Sequence, residues 1–217
     1  MKWVKVLALL LVCVFGAIAF VAWRGVLTLR QGMADCLIWQ GESLKERFIL
    51  DEETAHEMVA SIKAYAQSVA AGQAPAMNGF SVLRAFYDGP LLLAMTHASV
   101  ANKLDAIETT DDFERQSAKK VSQQFFCAVK EKRISAETWQ KVRELLLEQK
   151  INETESSIGF VIPEQVESFR KKIGFKALSD CLAIMQQSLP DAGAIDDIAV
   201  LDPVIELKII LKRDIAR

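Results

Sequence analysis

The chain opens with 18 consecutive positions, Val6 to Trp23, that carry no charged or strongly polar side chain. At about 1.5 Å per residue, a helix over this run is roughly 27 Å long, close to the hydrocarbon thickness of a bilayer, about 30 Å. Lys2 and Lys5 precede the run, Arg24 follows it, and Trp3 and Trp23 flank it. Amphipathic aromatics favour the membrane–water interface. The pattern predicts a transmembrane signal-anchor over residues 1–24, its depth set by Trp3, Lys5, Phe15, Phe20, Trp23 and Arg24. The competing reading is a secretory signal cleaved after Ala17-Ile18-Ala19. Such signals have an apolar core of about 7–15 residues, whereas here the run continues through Phe20, Val21, Ala22 and Trp23. Leu11 and Val12 before Cys13 lack the small residue that a lipoprotein signal places there. A short basic tail stays in the cytoplasm, so the N-terminus is expected there. The bulk of the single-pass chain is then extracytoplasmic, in the periplasm if the source is bacterial.

Beyond the anchor the pattern changes to the three-and-four spacing of amphipathic helices. Val26, Leu29, Met33, Leu37 and Leu44 share one side of a juxtamembrane helix over residues 25–50, with Gly32 and Gly41 as points where it is expected to kink or break. Residues 51–217 read as a helical extracytoplasmic domain. Asp51 caps a helix whose stripe is Ala55, Met58, Val59, Ile62, Tyr65, Ala66 and Val69. Asp88-Gly89-Pro90 is a turn, and Pro90 then starts the most apolar helix of the domain, Leu91 to Met95, expected at its centre. Thr109 or Thr110 caps a helix with the stripe Phe113, Val121, Phe125 and Val129. Ser135 caps the next, with Trp139, Val142, Leu145 and Leu146, and the two are expected to form an antiparallel hairpin. Asn152 to Val161 reads as a loop or short extended piece, Pro163 as the start of another helix interrupted at Gly174, and Pro190 to Leu201 as an acidic connection. Asp202-Pro203 starts the last helix, although its Ile205, Leu207, Ile209 and Leu211 also suit a strand. The expected fold is all-α, an N-terminal transmembrane helix followed by a helical-bundle-like domain of about seven helices.

Charge narrows the partners. The chain has 26 basic and 28 acidic residues, and without Lys2 and Lys5 the remainder is mildly acidic. Nucleic-acid surfaces are basic, so none is expected. Three cysteines lie beyond the anchor. Cys36 and Cys181 share the context Asp-Cys-Leu and are a candidate disulfide; closing so long a loop adds about 4–5 kcal/mol in the chain-entropy model. Cys127 follows Phe125-Phe126 and reads as core.

Catalytic patterns were sought and fail. His56-Glu57 begins like a zinc-protease helix, but the second histidine position holds Ala60. His97 stands near Ser99 without the glycines of a nucleophile elbow. Asp191 to Asp202 has the length of a calcium loop, with Asp196 in the glycine slot. Asn152-Glu153-Thr154 is a glycosylation sequon, relevant only in a eukaryotic secretory setting. No cofactor or metal is expected. The expected function is a non-catalytic, membrane-anchored accessory or interaction subunit of a membrane or envelope assembly, held by its N-terminal helix and bound to protein partners. Trp39, Phe80 and Phe86 are the candidate partner contacts. An apolar-ligand or lipid-binding helical protein, or an enzyme with an unrecognised site, are the alternatives.

Overall fold

The computed structural model describes residues 2–107, 111–155, 161–189 and 201–215; side chains are described outside 2–19, 150–166 and 214–215. The molecule is mostly helical, with one two-stranded hairpin. A single helix, α1 (Lys2–Arg47), runs from the apolar start into the body of the domain, unbroken through Gly32 and Gly41. Gly41 is a point of close approach rather than a break: a Cβ there would meet Ile62 at 3.2 Å. The second part of α1 is core, with Met33, Ala34, Leu37 and Leu44, and Phe48 just past its end, all buried at the spacing of one helix face.

Helix α2 (Glu52–Ala70) folds back along α1. Its N-cap is Asp51, whose carboxylate accepts from the Thr54 amide at 2.8 Å. Its stripe is buried at Ala55, Met58, Ile62, Tyr65, Ala66 and Val69. Lys63 pairs with Glu42 at 2.7 Å across the two helices, on the surface. Residues 78–85 form a short helix, α3 (Asn78–Ala85), packed on α1. As expected, α4 (Pro90–Asp105) is central: Leu91 to Thr96, Ser99, Val100 and Leu104 are buried. Pro90 occupies its first turn, and Gly89 supplies the positive φ, 98°, that the preceding turn requires.

Helix α5 (Asp112–Lys130) has Asp111 at its N-cap; Thr109 and Thr110 lie outside the described residues. Phe125 and Phe126 are buried, but Phe113, placed by periodicity on the same stripe, is 80% exposed. Helix α6 (Ala136–Leu146) is capped by Ser135, whose hydroxyl accepts from the Thr138 amide. The expected α5–α6 hairpin is not the main packing: α5 packs on α4, and both α5 and α6 pack on α7 (Phe175–Ser188). Phe126 and Trp139 still meet edge-to-face at 5.9 Å.

A helix starting at Pro163 is replaced by strand. β1 (Leu147–Glu155) and β2 (Val161–Phe169) pair antiparallel, from Leu147 opposite Phe169 to Glu155 opposite Val161. Both strands are edges, so Pro163, which has no N–H to donate, is tolerated opposite Glu153. Tertiary bonds hold the base of the hairpin. The Arg170 amide donates to the Leu146 carbonyl at 2.8 Å, and Arg47 Nε donates to the Glu167 carbonyl at 3.0 Å. Gly174 caps α7 rather than interrupting a longer helix. The last segment is helix, α8 (Pro203–Ile215), with the Asp202 carboxylate accepting from the Val204 and Ile205 amides. It packs on α2, α3 and α4. The acidic connection 190–200 lies outside the described residues.

Candidate functional site

The two parts of α1 differ completely in surroundings. From Phe20 to Leu29 every residue is exposed, and among them are Phe20 (54%), Val21, Trp23 (58%), Val26, Leu27 and Leu29. At about 100° per residue these six positions point around the whole circumference of the helix. The Arg24 guanidinium lies over the Phe20 ring, 5.6 Å from its centroid. Of the candidate anchor residues, Phe20, Trp23 and Arg24 are therefore on this exposed segment. The side chains of Trp3, Lys5 and Phe15 fall outside the described residues. Among the described residues no helix is long and apolar enough to cross a membrane, and most of the run Val6 to Trp23 lies outside them.

The exposed segment ends where the domain begins. Gly72, at the end of α2 with φ 75°, lies against the Arg30 guanidinium, and a Cβ on Gly79 would lie 2.5 Å from the Met33 side chain. The loop from α2 to α3 thus sits at the level of Arg30. Beside it Met77 and Phe80 are 65% and 52% exposed.

The three candidate partner contacts separate. Phe80 is on the surface and Trp39 is half-buried in α1. Phe86 is fully buried, packed into the core at the end of α3, which removes it as a contact. The expected disulfide is not made: Cys36 and Cys181 are not bridged. The echoed Asp-Cys-Leu context did not bring them together, because α1 packs on α2, α3 and β2 while α7 packs on α5 and α6. Burial pushes the Cys181 thiol up to about 12, and it also raises Cys127.

Sequence reasoning missed a buried polar network that ties the hairpin to α1. Glu167 on β2, 8% exposed, takes an ion pair from Arg143 on α6 at 2.6 Å. Arg143 also donates to the Tyr87 carbonyl at 3.2 Å. Arg47, 2% exposed, donates to Gln40 Oε1 at 2.6 Å, and Gln40 donates to the Tyr87 hydroxyl. No spacing signalled this set, because its members come from four separate elements. These bonds join α1, α6, β2 and the Tyr87 turn, and the arrangement is structural cement rather than an open site.

Next to it an open groove of about 830 Å³ is lined by Glu144, Leu145, Glu148, Arg170, Lys172 and Ile173, among others. Its charges are of both signs. Arg170 is already engaged with the Leu147 carbonyl, and Lys171 with the Lys45 carbonyl. Enclosed apolar lining, which a lipid carrier needs, is not what this groove offers. Among the described residues His97 Nδ1 meets Ser122 Oγ at 3.1 Å, and not Ser99. Ser122 is fully buried, and the Ser99 hydroxyl donates back to Met95 and accepts from the Ile49 amide. Burial, with the Lys119 charge nearby, lowers the His97 pKa to about 4. A neutral ring over Phe126, with its serine sealed from solvent, is a core histidine. His56 joins no group of metal-binding side chains among the described residues. No known protein family, curated protein or solved structure matches the chain.

Proposed function

We propose that the chain is a membrane-anchored helical accessory subunit, a non-catalytic interaction protein of a membrane or envelope assembly. The observation that carries this reading is the all-round exposure of Phe20, Val21, Trp23, Val26, Leu27 and Leu29. A protein partner on one side would need a stripe. Phe20, Val21 and Trp23 at the end of the run, with Val26, Leu27 and Leu29 just past Arg24, suit surroundings apolar on every side, a lipid core and its interface. In the sequence this segment continues directly from Val6–Ala19, and Lys2, Lys5 and Arg24 bound the run. The N-terminus is then cytoplasmic and the domain extracytoplasmic, periplasmic in a bacterium. The anchor confines the domain near the bilayer and raises its effective concentration for neighbours there. The mixed-charge groove beside Glu144 and Lys172, with half-buried Trp39, offers such a neighbour polar and aromatic contacts.

The test is purification of the full chain in mild detergent after alkaline washing of the membranes, with intact-mass analysis. A chain that stays in the washed membranes with residues 1–24 attached, eluting with a stoichiometric membrane protein, supports the proposal. Recovery of a lone, soluble protein beginning near Phe20 would sink it.

A further inference from the structure

We infer that the outer edge of β1 pairs antiparallel with the same edge of a second copy of this chain, making one four-stranded sheet from two hairpins. The inference does not use the anchored reading. It starts from the ladder. The Arg170 amide donates to the Leu146 carbonyl, and the register continues from Leu147 opposite Phe169 to Glu155 opposite Val161. In an antiparallel ladder, directly opposed residues alternate between pairs that exchange both bonds and pairs that exchange none. Residues 148, 150, 152 and 154 of β1 therefore bond inward to β2. Residues 149, 151, 153 and 155 turn their backbone N–H and C=O groups outward, as do 161, 163, 165 and 167 on β2. Two observations agree with this phase. Pro163, which has no N–H, falls at an outward position, and the Glu167 carbonyl, also outward, accepts from Arg47 Nε.

The two edges are therefore unlike. The β2 edge is blunted: a donor is missing at Pro163 and the acceptor at Glu167 is taken. β1 has no proline, glycine or bulge from Leu147 to Glu155, so its outer edge is a continuous template. The hairpin is supported at its base, where Leu147 and Phe169 are buried, while Gln149 is already exposed. Among the described residues it packs on the body through β2 against α1 and β1 against α6. Two strands alone are marginal in water, and further strands stabilise them. A strand from another protein brings a new outer edge, whereas a second copy brings the blunted one. The order β2-β1-β1-β2 leaves only blunted edges outside, so association closes at a pair. Charge sets the register. With Ile151 opposite Ile151 of the second copy, Gln149 opposes Glu153, Lys150 opposes Asn152 and Glu148 opposes Thr154, and no like charges face each other. A slide of two residues toward the base sets Lys150 opposite Lys150, and a slide the other way sets Ile151 opposite Glu153. Leu147 then lies opposite Glu155 of the second copy, which puts the two bodies at opposite ends of the sheet, about 27 Å apart at about 3.4 Å per residue.

The test uses the full-length chain in mild detergent, in a Cys13→Ala, Cys36→Ser background in which Cys127 and Cys181 are buried. Mass is read by sedimentation and contact by thiol oxidation. Opposed residues in a bonded pair have Cα atoms about 5.5 Å apart, within the span of a disulfide. The expected result is a dimer in which Ile151→Cys oxidises to a covalent pair and Gln149→Cys alone does not, while a mixture of Gln149→Cys and Glu153→Cys chains does. Ile151→Pro removes an outward donor and no bond within the hairpin. It should weaken the dimer about tenfold or more and leave the circular dichroism and urea midpoint of the parent unchanged. A single chain at every concentration overturns the inference and leaves the anchored reading untouched. A dimer that cross-links equally through 149 and 151, or that Ile151→Pro leaves intact, overturns it as well, because the copies then meet elsewhere.

Discussion

The two ends of α1 are built from the same kinds of residue and meet opposite fates. Leu37, Leu44 and Phe48 are at most 1% exposed, while Phe20 and Trp23 in the same helix are more than half exposed. Hydrophobicity does not separate them; period does. In the packed half the apolar residues recur on one face and polar Ser43, Lys45 and Glu46 take the other, so α2 and α3 have a defined stripe to cover. In the exposed half no face is polar enough to choose. An apolar run without a period needs cover on every side: Leu91 to Thr96 in α4 are buried on all of theirs, whereas residues 20–29 are exposed on all of theirs.

The sharpest way to break that contrast is to cut both halves equally. Phe48→Ala should cost about 3–5 kcal/mol by the usual cost of large core truncations. Leu27→Ala should leave the urea midpoint of the domain unchanged, within about 0.5 kcal/mol. Equal losses would mean that residues 20–29 are part of the folded body. The packed half is also held by polar groups. Glu167→Ala strips the partner from half-buried Arg143 and should cost about 1–3 kcal/mol, read by the same urea titration. A loss below about 1 kcal/mol would place the pair in solvent.

A third prediction concerns pH. His97 has a folded pKa near 4 against 6.5 unfolded, so the unfolded chain binds the extra proton first. Stability from this group is therefore intact above about pH 6.5, falls as pH drops toward 4, and is level below that. The loss is on the order of 3 kcal/mol. Thermal melts at pH 7 and 5 should converge when His97→Asn is compared with the parent; an unchanged pH dependence would refute the buried, neutral ring. The smallest effect is at the junction of the two halves. Gly79→Ala drives a methyl into Met33 and should cost about 1–3 kcal/mol. Relief of that cost by Met33→Ala would identify the clash.

Helices with their own start signals were readable in advance. Asp51, Ser135, Pro90 and Asp202-Pro203 each mark a real helix start, because capping and proline chemistry act within a few residues. Pairing across distance was not readable. Pro163 reads locally as a helix start, yet the Arg47 and Arg170 bonds select strand there, and those donors are remote in sequence or set by the fold. Phe113 and Phe86 fit their local patterns equally well, and only the neighbours decide that one is exposed and the other buried. The apolar segment at the start of α1 was legible from composition, whereas Met77 and Phe80 beside its end were not, since nothing local says that Gly72 returns to Arg30.

What the sequence determined by itself is therefore local: the apolar start, the helical class, the caps and the buried stripes of α2 and α4. These follow from side-chain periodicity and from hydrogen bonds made within one turn. What only the tertiary structure decided is which surfaces remain. The β-hairpin, the Glu167 network and the separation of Cys36 from Cys181 all depend on contacts between distant residues. Their energy comes from burial and charge pairing that exist only once the helices have packed.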